Sequence, residues 1–155
     1  MRIAQGMATP RRLPWLYTDY AIYFLTMCTY NRRQILARKA IHETFIRFVT
    51  KSPSRGVWVG RYVLMPDHVH LFARFGPDSM SLSLWVKSLK NTLSRTFNAS
   101  GFRAPHWEPG FFDRVIRSEE SYEEKWKYVV ENPVRRGLVL RAEDWPYAGE
   151  IHCLL

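Results

Sequence analysis

The sequence predicts an α+β fold in the order βαββαβ: the ferredoxin-like arrangement of a four-stranded antiparallel sheet with two helices on one face, extended by a C-terminal helix. Three observations lead there. A strand–turn–strand segment surrounds Met65-Pro66-Asp67. Stretches with apolar residues at helical spacing lie on either side of it. A last strand-like run precedes a helix that opens on acidic residues. At 155 residues the chain is read as one domain over 1–155, with a basic arm at 1–19 and an extension at 138–155.

Each element has a local reason. Thr9-Pro10-Arg11-Arg12-Leu13-Pro14 is basic and punctuated by proline, which suits an arm. Tyr20 to Tyr30 is dense in aromatic and β-branched residues and reads as the first strand, broken by Asn31-Arg32-Arg33. Lys39 to Thr50 places Ile41, Phe45, Phe48 and Val49 at helical spacing, and Ser52-Pro53-Ser54-Arg55-Gly56 ends that helix. Val57 to Leu64 and His68 to Phe75 form the hairpin, closed by Gly76-Pro77-Asp78. Ser81 caps a second helix running to about Phe97, with Leu82, Trp85, Val86, Leu89 and Leu93 on one side. After an irregular stretch come a strand at Phe111 to Arg117 and a third helix from Glu119 to about Glu131. Pro133 pushes Asn132 away from helical geometry, so this helix ends there. Trp145-Pro146-Tyr147 belongs to a packed tail.

Composition narrows the partners. The 23 Lys and Arg against 14 Asp and Glu give a net charge of +9, which suits a polyanion, nucleic acid first and an anionic membrane surface second. Apolar runs such as Ala21 to Met27 are too short to span a bilayer, and the N-terminus lacks the apolar core of a signal peptide. Cys28 and Cys153 form neither a CxxC pair nor a disulfide framework, which fits a reducing cytosol, Cys28 buried in a strand and Cys153 in a loose tail. The expectation is a cytoplasmic protein without membrane association.

His68-Val69-His70 carries the chemistry. In a strand, side chains alternate, so both imidazoles face one way with Phe72 and Arg74 while Val69, Leu71, Ala73 and Phe75 line an apolar face. The helices would cover the apolar face, and the histidine face would stay open unless the trailing helix reaches it. Two neutral imidazoles side by side suit a metal ion. A pair of half-exposed histidines on a solvated strand is the alternative. On the last helix Tyr128 and Asn132 are four residues apart and share a face, which offers a phenol nucleophile and a carbonyl ligand to the same site. Tyr122 reads as packing or surface, His42 as a surface histidine, and His152 has no assigned role. His106 suits either base stacking or structure.

The chain resembles the HUH single-tyrosine transposases, and within them the REP-associated tyrosine transposases. The residues that carry the likeness are Tyr23-Phe24-Leu25-Thr26 and Thr29-Tyr30-Asn31-Arg32, then Tyr62 through Leu71 with the histidine pair, Gly110-Phe111-Phe112-Asp113-Arg114, and Tyr128 through Val139. The resemblance implies that His68 and His70 are metal ligands and Tyr128 the nucleophile. Asn132 stands where insertion-sequence relatives place a glutamine ligand, and its side chain is one methylene shorter.

It further implies a divalent metal, Mg²⁺ with Mn²⁺ as substitute, and cleavage of single-stranded DNA at REP-like palindromic hairpins through a 5′-phosphotyrosine. Zinc is disfavoured because no thiolate is positioned. The protein would act as a monomer or homodimer. Arg11, Arg12, Arg32, Arg33, Lys87, Lys90, Lys125, Lys127, Arg135 and Arg136 are the candidate DNA contacts, chiefly to phosphates. The competing function is a non-catalytic single-stranded nucleic-acid-binding module using the same sheet, as RNA-recognition domains do.

Overall fold

A computed structural model describes residues 21–155; the expected arm at 1–19, with Arg11 and Arg12, lies outside the described residues. The elements are β1 (Ile22–Cys28), α1 (Lys39–Lys51), β2 (Val57–Leu64), β3 (His68–Phe75), α2 (Leu82–Ala99), β4 (Phe112–Ile116), α3 (Glu119–Val130), α4 (Asn132–Arg135) and β5 (Ala148–Glu150). The sheet order is β4-β1-β3-β2-β5, with every neighbouring pair antiparallel. The βαββαβ order is therefore present, but the sheet has five strands rather than four. The fifth comes from the tail: Ala148-Gly149-Glu150 pairs with Val63, Tyr62 and Arg61 of β2. Trp145 Nε1 donates to the Leu64 carbonyl at 3.0 Å, and Leu64 N donates to the Tyr147 carbonyl at 2.8 Å, which fixes the tail along that edge.

β3 lies at the centre and is covered on both faces. Val69, Leu71 and Ala73 face a core filled by Ile41, Phe45 and Val49 of α1 and by Trp85, Leu89 and Leu93 of α2. α2 starts where Ser81 Oγ accepts the amide of Leu84, which satisfies one free donor of the first turn. The opposite face is not open. Phe72 and Phe24 pack with Tyr122, Trp126 and Val129, the sheet-facing side of α3. The ring of Phe72 lies 4.6 Å from that of Tyr122, and burying a side chain of this size contributes about 1.5–3 kcal/mol.

Arg61 holds α3 from the edge of the sheet. Its Nη1 donates to Glu123 on α3 at 2.9 Å and its Nε to Glu150 on β5 at 3.0 Å, with the guanidinium 5.0 Å from the Tyr122 ring. The neighbouring position must be small. A Cβ on Gly60 would come within 2.7 Å of Leu154 and 2.9 Å of the Tyr122 hydroxyl, so glycine lets tail and helix both approach the strand. Among the described residues no helix is long and apolar enough to cross a membrane.

His42 is not the surface histidine that its place in α1 suggests. Its Nε2 is hydrogen-bonded to the Tyr62 hydroxyl at 2.7 Å, and the ring packs edge-on against Tyr147. Burial lowers its pKa to about 4, against a smaller opposing effect of Glu43. An unfolded histidine titrates near 6.5. Between those two values the unfolded chain takes up a proton that the folded chain refuses, so stability falls as pH drops from about 6.5 to 4. His42→Gln, which does not titrate, is expected to flatten part of that acid slope when urea-unfolding midpoints at pH 7 and pH 5 are compared. Equal slopes in the two proteins would take His42 out of the account.

Candidate active site

The two imidazoles lie side by side on the α3 face, with ring centroids 4.5 Å apart and planes at 74°. Each is anchored through Nδ1. His68 Nδ1 donates to Asp67 Oδ1 at 2.8 Å, and His70 Nδ1 lies 2.8 Å from Thr26 Oγ1 on the neighbouring strand. The carboxylate places the His68 proton on Nδ1 and leaves the lone pair on Nε2, the form that ligates metals; the Thr26 hydroxyl, able to donate or accept, is compatible with the same form of His70. Both groups are held neutral. Burial lowers the pKa of His68, partly offset by its bond to Asp67. Burial, then the charges of His68, Lys125, Arg32 and Arg135, take His70 down to about 3.

Asp67 is the anchor of this corner. Besides His68, its carboxylate accepts Arg32 Nε at 3.0 Å and Arg136 Nη1 at 3.1 Å. Its carbonyl accepts both the amide and the hydroxyl of Thr29, at 3.0 and 3.1 Å. Burial opposes the carboxylate charge, but the bonds from His68 and Arg32 outweigh it and hold the group below the usual range. The turn after β1 is bent to serve this contact. Arg32 has φ of 54°, a left-handed region that costs such a residue about 1–2 kcal/mol, and Asn31, at 51°, is of a type that tolerates it. Such strain at a site persists where surrounding contacts outweigh it.

Tyr128 stands on α3, 62% exposed. It connects to the histidines through side chains: Phe24 stacks on His70 at 5.1 Å, Lys125 Nζ sits 4.7 Å from the Phe24 ring, and the same Nζ is 5.9 Å from the Tyr128 ring. Arg135 also lies against Tyr128, with its guanidinium carbon 4.0 Å from the ring centre, and donates to Asn132 Oδ1. Asn132 opens α4, separated from α3 by Glu131 alone. Pro133 occupies the first turn of this new helix, where its missing N–H costs nothing, so the chain restarts a helix instead of leaving in an extended form. Among the described residues no cluster of three or more His, Cys, Asp or Glu side chains is placed to hold a metal; the histidines are a pair.

The predicted basic contacts separate into groups. Arg32, Arg135 and Arg136 surround the site, and the half-buried Lys125 joins them. Arg33 instead donates to the carbonyls of Arg103 and Pro105 at 2.7 and 3.0 Å. Lys90 donates to the carbonyls of Glu108 and Gly110, its pKa lowered by burial. Both thereby hold the 103–110 loop. Lys87 is exposed on α2, across the sheet from the histidines, and Lys127 is exposed on α3. Arg11 and Arg12 fall outside the described residues.

Tyr122 is core, fully buried under Phe72. His106 is structural, bonded to Ser94 Oγ and to the Phe102 carbonyl. Cys28 is half-buried in β1 and accepts from Arg32 at 3.1 Å, while Cys153 donates to the Leu155 carbonyl. Sequence reasoning missed Asp67 and Thr26 as partners of the imidazoles. A signal existed for Asp67, a carboxylate directly before the pair; Thr26 becomes visible only with the strand register Thr26↔His70.

A family profile described as "Transposase IS200 like" matches residues 18–132, a span that contains both histidines, Tyr128 and Asn132. The chain belongs to the IS200-like transposase family. Within it, the chain is similar to a REP-associated tyrosine transposase of Escherichia coli K12, 25% identical over 134 residues, covering 85% of this chain and 78% of the relative. Among solved structures it is similar to a REP-associated tyrosine transposase bound to a REP hairpin. That likeness has a TM-score of 0.68 at 24% identity, over 92% of this chain and 82% of the other. A structure from Deinococcus radiodurans R1 matches with TM-score 0.54 at 23% identity, over 79% and 95%. At these identities the structural likenesses establish the fold shared with this IS200-like chain.

The Asp67 corner yields a stability prediction. Asp67→Ala leaves two guanidiniums and an imidazole without their common acceptor. Charge-assisted bonds of this kind contribute about 1.5–3 kcal/mol, reduced here because Arg32 and Arg136 are half-exposed. A loss of about 1–2 kcal/mol in equilibrium urea unfolding is expected, and an unchanged midpoint would remove Asp67 as the anchor.

Proposed function

We propose that this IS200-like chain is a metal-dependent endonuclease and strand transferase for single-stranded DNA, acting in the cytoplasm at palindromic hairpins like those named for its REP-associated relatives. The observation that carries this reading is the pair of imidazoles, side by side and each held through Nδ1, on the sheet face that α3 covers, with Tyr128 linked to them through Phe24 and Lys125. The donor set fits a divalent ion: His68 and His70 would hold it. Asn132 would serve as a further ligand once Arg135 releases its oxygen. Mg²⁺, or Mn²⁺ in its place, would supply charge neutralisation and orientation of the scissile phosphate.

The chain's own residues account for the rest. Tyr128 Oη, giving up its proton to solvent, forms a bond to phosphorus while the P–O3′ bond breaks. The electron pair leaves with O3′, which is protonated to a free 3′-OH, and the 5′-phosphate remains on the tyrosine. A phenol has a pKa of about 10, so it leaves more readily than an alkyl alcohol and a 3′-OH can attack the linkage in turn. The product is a transferred strand rather than hydrolysed DNA. Lys125 and Arg135, both close to the ring, would meet phosphate charge and orient the phenol. Arg32 and Arg136 hold Asp67, and Asp67 holds the His68 tautomer.

Incubation with a labelled hairpin oligonucleotide carrying a single-stranded flank, in Mn²⁺ or Mg²⁺, is expected to give an SDS-resistant protein–DNA adduct. Tyr128→Phe abolishes the adduct and keeps hairpin binding; His68→Ala and His70→Ala abolish cleavage and spare most of the binding. Cleavage that survives both histidine substitutions removes the metal assignment. Hairpin binding without an adduct under any divalent ion leaves a binding module.

A further inference from the structure

Phe112 has no role in the chemistry above, yet it is a large aromatic side chain 73% exposed at the start of β4. The sheet register shows where it points. Thr26 pairs with His70 on one side and with Phe112 on the other, so the three lie in one cross-strand row. Directly paired residues of antiparallel strands share a face. Thr26 reaches His70 on the α3 face, so Phe112 is on that face too. Its neighbour Phe111 turns the opposite way and packs against the α1–α2 core. Two strand spacings put the backbone of Phe112 about 10 Å from that of His70.

The surroundings of this ring are cationic. Arg114, in the next row, pairs with Phe24, the ring that carries Lys125. Beside it, between β4 and α3, is a cleft of about 400 Å³ whose lining includes Arg114, Arg117, Lys125 and Tyr128, with Glu124 as its one carboxylate. An exposed aromatic ring flanked by cations is what unpaired nucleotides need, a platform for the base and charges for the phosphates.

We propose that Phe112 is a base-stacking platform that holds one unpaired nucleotide of single-stranded DNA beside the histidine pair, its backbone running along Arg114 and the β4–α3 cleft. The inference rests on the single-stranded DNA reading above and adds to it a place for the flank. Stacking needs a π face and no particular base, so the platform fixes the path of the strand rather than its sequence.

The test measures binding of the hairpin oligonucleotide with its single-stranded flank, of the hairpin without flank, and of a series with one flank base at a time replaced by an abasic residue. Phe112→Ala is expected to weaken binding of the flanked hairpin about 5- to 100-fold and to leave the flankless hairpin unchanged. Phe112→Tyr and Phe112→Trp keep native affinity, and Phe112→Leu behaves like Ala. One abasic position weakens binding to the native protein and has no further effect on Phe112→Ala.

The proposal is overturned by native affinity in Phe112→Ala, by full rescue with Leu, by an abasic series with no coupled position, or by a native protein that binds neither oligonucleotide. A change in oligomeric state on Phe112→Ala with DNA affinity unchanged would assign the ring to a second copy of the chain and likewise overturn it. Loss of the tyrosine adduct with this coupling intact refutes the covalent chemistry alone. An adduct with native affinity in Phe112→Ala refutes the platform alone.

Discussion

The alternation of side chains along β3 is the constraint on which the remaining structure depends. Odd positions, Val69, Leu71 and Ala73, are committed to the core beneath α1 and α2. Even positions, His68, His70 and Phe72, are committed to the face that α3 covers. A slip of one residue would turn the imidazoles into the aliphatic core under α1 and α2 and put Val69, Leu71 and Ala73 in their place beneath α3. The packing that stabilises the domain therefore also aims the histidines. Phe72 belongs to both tasks, since it continues the histidine row and seats Tyr122 and Trp126.

Asp67 does for the end of the strand what alternation does for its length. Its carboxylate gathers an arginine from the turn after β1 and another from just beyond α4, and passes the remaining bond to His68. Segments distant in sequence thus meet at one buried charge. The strained φ of Arg32 belongs to the same device. Arg61 links β2, α3 and β5 in a comparable way, so the helix bearing Tyr128 is fixed by the Arg61–Glu123 pair and from below by aromatic rings.

The features legible in the sequence were those with local causes. The bounds of β2 and β3 follow from their pattern and from the proline turn, and Ser81 marks the start of α2. The same-face histidines were equally readable. β5 was not, because Ala148-Gly149-Glu150 has little strand preference of its own and pairs only because β2 offers an edge. Pro133 reads as a stop from its neighbour's restriction and acts as a restart from its own fixed φ. Arg33, Lys90 and His42 look like surface charges until the fold supplies carbonyls and a tyrosine hydroxyl at hydrogen-bond distance. Composition predicts a basic surface but cannot say which cations remain free to face a ligand.

The placement of the phenol and the imidazoles on separate elements has a consequence for the life of the chain. The imidazoles sit on a hairpin and take their nearest anchors from Asp67 and from Thr26 of β1, whereas α3, with Tyr128, packs on Phe72 and is tied through Arg61 to β2 and β5. During synthesis the hairpin leaves the ribosome well before that last segment. A nascent, truncated or partly unfolded chain therefore has one half of the candidate site and lacks the other. Completion of the fold is what brings the two elements together, with the C-terminal segment the last to pair.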